Sequence, residues 1–133
     1  MMSITTASLL PDAPRRRNGE EILGRSVAKF LRFCLGEDTF WYHVPNGGQR
    51  HSRAAARLAG QGVKAGVPDI CVIHRGKSYF IELKIDGGYL SAIQKQVHQQ
   101  LNRAGARVAV CRSAADVEHV LRAWGVPLMG RLT

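Results

Sequence analysis

Asp69-Ile70-Cys71-Val72-Ile73-His74-Arg75-Gly76-Lys77-Ser78-Tyr79-Phe80-Ile81-Glu82-Leu83-Lys84 reads as two strands joined by a tight polar turn. Ile70 to Ile73 is apolar and rich in β-branched residues, and Tyr79 to Leu83 is a second strand-like run. His74-Arg75-Gly76-Lys77 supplies the polar residues and the glycine of a reversal. An even-length loop centred on Arg75 and Gly76 pairs residues whose numbers sum to 151 (75 plus 76). Ile73 then faces Ser78, Cys71 faces Phe80, and Asp69 faces Glu82. Directly opposed residues share one face of a sheet, with Cβ atoms roughly 4.5–5.5 Å apart. Lys84 lies two positions beyond Glu82 and falls on that face too.

Two opposed carboxylates repel unless something neutralises them. A hard divalent cation with oxygen ligands does so, and Mg²⁺ or Mn²⁺ suits that chemistry. The plainer alternative is a surface salt bridge between Lys84 and one of the acids. The position of both acids at a strand mouth, between apolar neighbours, favours the cation site. A one-residue bulge would break the pairing.

The chain has 133 residues, 45% of them hydrophobic, which fits one compact domain. Its net charge of +9 favours a polyanionic partner, although charge alone does not choose one. Cys34, Cys71 and Cys111 lie in apolar runs without metal-type spacing and read as buried thiols of a reducing cytosol. The five histidines show no His-x-x-x-His pairing. No apolar run has membrane-spanning length, and the N-terminus has no signal-peptide core.

Upstream of the hairpin, residues 1–18 mix Ser, Thr, Pro and Arg without period and read as a flexible basic arm ending in Arg15-Arg16-Arg17. The arm either touches phosphate or is a solvated tail. A domain over 19–126 and a short tail over 127–133 follow. Glu20 to about Leu35 reads as a helix with Leu23, Val27, Phe30, Leu31 and Cys34 on its buried stripe. Glu20 projects onto that stripe, whereas Glu21 aligns with Arg25, Ala28 and Arg32 on the wetter face. A carboxylate heading an apolar stripe aims at the core; stabilisation of the first helical turn explains either glutamate equally well. Phe40 to Val44 reads as a strand, stopped by Pro45-Asn46-Gly47-Gly48. Residues 49–59 read as a short helix on which Arg50, Arg53 and Arg57 form a basic stripe. That stripe suits a phosphate backbone or an ordinary solvated face.

Downstream, Asp86-Gly87-Gly88 is a turn. Ser91 to Ala104 reads as a helix with Ile93, Val97, Leu101 and Ala104 inward and Gly105 past its end. Ser91-x-x-Gln94 fits a capping box, a structural explanation for Gln94. Arg107 to Cys111 is a strand, and Ser113 to Trp124 a last helix with Val117, Val120, Leu121 and Trp124 packed. No internal repeat occurs. The order predicts an α/β fold with a mixed sheet flanked by helices. The stretch from Lys84 to Arg107 has room for a right-handed parallel crossover.

These residues resemble the VRR-NUC branch of the PD-(D/E)xK nuclease superfamily, from about Glu20 to Trp124. The likeness rests on the glutamate opening the first helix, Pro45-Asn46-Gly47-Gly48-x-Arg50, Gly66-Val67-Pro68-Asp69 and Ile81-Glu82-Leu83-Lys84. Leu90-Ser91-x-x-Gln94 and the Gly105 turn into Val108-x-Val110 complete it. Glu-x-Lys alone is weak; the ordered set is strong.

The resemblance implies a restriction-endonuclease-like core. It makes Asp69 and Glu82 metal ligands, helped by the Leu83 backbone carbonyl. Glu20 would complete the acidic cluster, directly or through water. Lys84 would be the catalytic lysine, with Gln94 near it. Asn46, the Arg50, Arg53, Arg57 stripe and the arm's Arg15, Arg16 and Arg17 are the candidate DNA contacts. Without accessory domains, the chain is similar to compact bacterial and phage members of Holliday-junction-resolvase type, which implies a cytoplasmic homodimer on branched DNA using Mg²⁺ or Mn²⁺. Two other readings stay open: a nicking or trimming nuclease without junction preference, serving phage replication or repair, and a non-catalytic nucleic-acid-binding module.

Overall fold

The computed structural model describes the backbone of residues 2–45 and 52–131 and the side chains of 18–45 and 53–131. Among these, the chain order is α1 (Met2–Cys34), β1 (Thr39–His43), α2 (Ser52–Gly60), β2 (Ile70–His74), β3 (Lys77–Leu83), α3 (Ala92–Arg103), β4 (Arg107–Cys111) and α4 (Ala114–Ala123). The strands form one mixed sheet in the order β1-β2-β3-β4, antiparallel except for the β3–β4 pair.

The β2–β3 hairpin has the register that the sequence implies: Ile73 opposes Ser78 and Cys71 opposes Phe80. His74 pairs with Lys77, which leaves a two-residue loop of Arg75 (φ 48°) and Gly76 (φ 81°). Both loop residues have positive φ, and such turns match the right-handed twist of the strands they join. Beyond the turn the pleat alternates. Tyr79 and Ile81 enter the core, while Phe80 and Glu82 lie on the opposite face.

The core sits between the Tyr79–Ile81 face and helices α1 and α4. Val27 and Leu31 of α1 meet Ile70, Val72, Ile81 and Cys111 of the sheet and Val117 and Leu121 of α4. Each such aliphatic side chain, fully removed from water, contributes about 1.5–3 kcal/mol. Tyr79 stacks on Trp124 at the end of α4, with ring centroids 5.2 Å apart. Helix α3 crosses between the parallel strands β3 and β4 and covers the other face. Its N-terminus carries the complete capping box, with Gln94 N–H donating to Ser91 Oγ and Ser91 N–H to Gln94 Oε1.

Three sequence expectations are corrected. The first helix does not begin at Glu20 but runs from Met2, through the stretch read as an aperiodic arm. No proline lies between Arg15 and Cys34, so nothing in that stretch stops a helix, and Glu20 and Glu21 lie far from its first turn. The helix-dipole explanation for the two glutamates therefore falls away. On α3 the buried residues are Val97 and His98; Ile93 is 46% exposed, and Ala104 is the exposed C-cap. The inward face is turned toward a polar site, described below. Strand β1 starts at Thr39 and ends at His43, one residue earlier than expected at each end. In the short tail, Leu128 bridges to Leu35, and Met129 N–H donates to the Cys34 carbonyl oxygen.

Candidate active site

Asp69 lies one residue before β2, with its backbone tied on one side and its side chain on the other. Its carbonyl oxygen accepts from Val44 N–H at 2.7 Å, joining it to the end of β1. Its Oδ2 accepts from Leu83 N–H, also at 2.7 Å, joining it to the end of β3. The preceding turn reaches this position through Gly66, whose φ of 83° favours glycine. A Cβ there would stand 2.9 Å from the Ile93 carbonyl oxygen, so the loop is seated directly on the backbone of α3.

Glu82 follows Ile81, which pairs with Ile70 next to Asp69, and is 3% exposed. Its carboxyl is pushed up to about 8, first by burial, then by hydrogen bonding to Asp69 and by the Asp69 charge; Glu20 adds to this and the Lys84 ammonium opposes it. His98 Nε2 lies 3.3 Å from Glu82 Oε1, and both residues are buried.

Lys84 follows the end of β3, and its N–H donates to the Cys111 carbonyl oxygen at the end of β4. The turn after it is gripped by Arg112. The guanidinium donates to the carbonyl oxygens of Ile85 (2.7 Å) and Gly88 (3.0 Å).

A cleft of about 590 Å³ opens over these groups. Glu20, Glu21, His43, Asp69, Glu82, Leu83, Lys84 and Gln94 line it, so it gathers every acid and the lysine expected from the sequence. A second cleft of about 850 Å³ shares Asp69, Glu82 and Gln94 with it and runs between α2 and the start of α3, past Pro45, Leu58, Val63 and Ile93. The two meet at the acids.

Glu20 and Glu21 both reach the first cleft, and Glu21 also pairs with Arg25 at 3.9 Å. Arg53 and Arg57 stand exposed on α2 and line neither cleft. Asn46 and Arg50 lie outside the described residues, as do the side chains of Arg15, Arg16 and Arg17. The sequence reading missed His43 and His98. His43 pairs with Ile70, beside Asp69. His98 falls four residues after Gln94, one turn along the same helix, a spacing that the search for paired histidines passed over.

Among the described residues, no three His, Cys, Asp or Glu side chains stand close enough to hold a metal ion as they are placed. The donor set nevertheless fits a hard cation: two carboxylates share one spot, and burial together with the neighbouring Asp69 holds the Glu82 carboxyl up, a charge conflict that a bound cation would relieve. The cysteines offer no nucleophile here. All three are buried, and burial pushes Cys111 up to about 12 and Cys71 upward. No helix among the described residues is long and apolar enough to cross a membrane.

The VRR-NUC domain model matches residues 28–115, a span that holds Asp69, Glu82, Lys84, Gln94 and His98 and begins after Glu20. Two solved structures are similar in fold. A VRR_NUC domain protein, 23% identical, aligns with a TM-score of 0.65 over 81% of this chain and 89% of its own. A VRR_NUC domain, 18% identical, aligns at 0.54 over 80% and 97%. No curated protein sequence matches significantly.

Proposed function

The chain belongs to the VRR-NUC domain family, a nuclease-type branch of the PD-(D/E)xK superfamily, and on that footing we propose that it is a metal-dependent DNA endonuclease, selective for branched DNA and active as a homodimer. The observation that carries this reading is the single cleft lined by Asp69, Glu82, Lys84 and Gln94, with Glu20 at its rim. The catalytic unit is residues 19–126.

Asp69 and Glu82 would hold Mg²⁺ or Mn²⁺, with the Leu83 carbonyl and Glu20 completing the oxygen set; such an ion supplies a lowered water pKa and a polarised phosphoryl oxygen. Lys84 orients the attacking water and offsets the negative charge that gathers on the phosphate as the P–O bond breaks. Its backbone is held by Cys111, and the turn after it by Arg112, so the ammonium starts from a fixed base. Gln94 has its Oε1 occupied by the cap. What it has left to offer a phosphate oxygen is its amide NH₂.

Two coordinated nicks need two sites in fixed relation, and a C2 dimer of one-site chains provides them. The deciding experiment compares cleavage of a four-way junction with that of flap, duplex and single-stranded DNA, in Mg²⁺ and Mn²⁺, using Asp69→Ala, Glu82→Ala and Lys84→Ala as controls. The expected result is junction cleavage by the wild type and a loss of at least about 100-fold in each folded variant. Equal cleavage of all substrates would replace junction selectivity with general nicking. Folded variants that still cut at the wild-type rate would remove the site assignment.

A further inference from the structure

We propose that His98 is a positioning residue for the cation site: its Nε2–H holds Oε1 of Glu82 and leaves Oε2 as the oxygen that meets the ion. The inference rests on the reading of the cleft as a cation site and assigns a role to a residue that the mechanism above does not use.

His98 is 9% exposed and Glu82 3%, and Nε2 lies 3.3 Å from Oε1. A carboxylate this deep must have partners for its oxygens, and a buried imidazole is costly unless it too is hydrogen-bonded. Each answers the other's need. In the cation-bound state that the proposal concerns, Glu82 is ionised and only accepts, so the ring nitrogen facing it then carries the hydrogen.

The placement on α3 supports the same role. Helical periodicity alone would bury Ile93, Val97, Leu101 and Ala104, an apolar row. The helix instead buries Val97 and His98. An apolar residue at position 98 would fill the space more cheaply than a histidine, and Glu82 is what the histidine finds there. The helix is seated close to the loop that carries Asp69. Its first turn is fixed by the Ser91–Gln94 capping box, and its backbone at Ile93 is fixed against Gly66. Gln94 and His98, one turn apart, therefore address the same acid pair from one rigid element.

The physical effect concerns rotation. Glu82 shares the cleft with Asp69, whose Oδ2 is already taken by Leu83 N–H. With Oε1 held by His98, Glu82 cannot turn about its terminal bond, and each acid presents one oxygen. Partners of this kind, behind a ligand, commonly change metal affinity by about 10–100-fold.

The test uses the full chain and Mn²⁺ alone, titrated calorimetrically, beside Glu82→Ala. His98→Gln keeps an amide donor close to the place of Nε2; His98→Met has similar length and no donor. The expected result is Mn²⁺ binding weakened about 10–100-fold in His98→Met and within about threefold of wild type in His98→Gln, at similar melting temperatures. Wild-type affinity in His98→Met overturns the proposal. So does a His98→Gln variant as weak as His98→Met, because the donor would then not be what matters. If His98→Met fails to fold, His98→Asn, whose amide falls short of Oε1, is set against His98→Gln with the same two readings. A wild-type chain that binds Mn²⁺ no better than Glu82→Ala removes the cation site itself, and the role of His98 with it; that failure is visible before any His98 variant is measured.

Discussion

Glu82 carries a proton at pH values where an ordinary glutamate has lost it, because burial and Asp69 push its carboxyl up to about 8. The sign of the consequence follows from linkage. A carboxyl raised from 4.5 to about 8 binds its proton more tightly in the folded than in the unfolded chain. Stability without metal therefore falls as pH rises through that window. We expect the melting temperature of the metal-free chain to decline across it, and Glu82→Gln, which does not titrate, to flatten the decline; circular dichroism melts at stepped pH read this directly. Added Mn²⁺ should recover most stability at the high end, where the carboxylate is free to bind it. A second comparison separates the two glutamates of α1. Glu20 adds to the charge that raises Glu82, whereas Glu21 is engaged with Arg25. Glu20→Ala should lower kcat by about tenfold or more and Glu21→Ala by less than about threefold. Equal losses in a steady-state assay would refute the choice of Glu20 over Glu21.

At the scale of elements, the turn after Lys84 is the part most open to test. Arg112 holds the Ile85 and Gly88 carbonyl oxygens, and Lys84 lies immediately before that turn. Arg112→Ala should reduce kcat about tenfold with little change in KM, since a loosened lysine costs positioning rather than binding. Its stability should fall by only about 1 kcal/mol, the usual worth of such hydrogen bonds. Gly66→Ala should do the reverse in proportion: about 1–3 kcal/mol lost from a strained φ and a clash with α3, measured by denaturant unfolding. Elements were also where the sequence was most legible. The hairpin register followed from an even loop and a period of two, and the parallel β3–β4 pair from the room for a crossover. Legibility ended where a local pattern had to yield to a distant partner. The inward face of α3 buries His98 against Glu82 beside Val97 of its apolar row, and the docking of Leu128 and Met129 depends on the far end of α1. The start of α1 was misread for a different reason: a stretch with prolines and no apolar period carries no packing signal, although its backbone is helical.

For the whole molecule, a net charge of +9 acts before any specific contact is made. Binding to DNA should weaken steeply with salt, because each neutralised phosphate releases counterions. Arg53 and Arg57, exposed on α2, should each account for a salt slope of about 1, read as the change in log K against log salt for the alanine variants. An unchanged slope would make their face an ordinary solvated one. The position of the site along the chain has a separate consequence, for how the molecule comes to exist. Asp69, Glu82, Lys84, Gln94 and His98 all fall within residues 69–98, in a hairpin and the helix that follows it. Such a stretch closes only short loops, so its contacts form early and cheaply in folding. Helices α1 and α4, which seal the opposite face, must wait for contacts between the two ends of the chain. The candidate site groups other than Glu20 thus lie in the stretch that assembles locally, while Glu20 arrives on α1 with the long-range closure that builds the hydrophobic core.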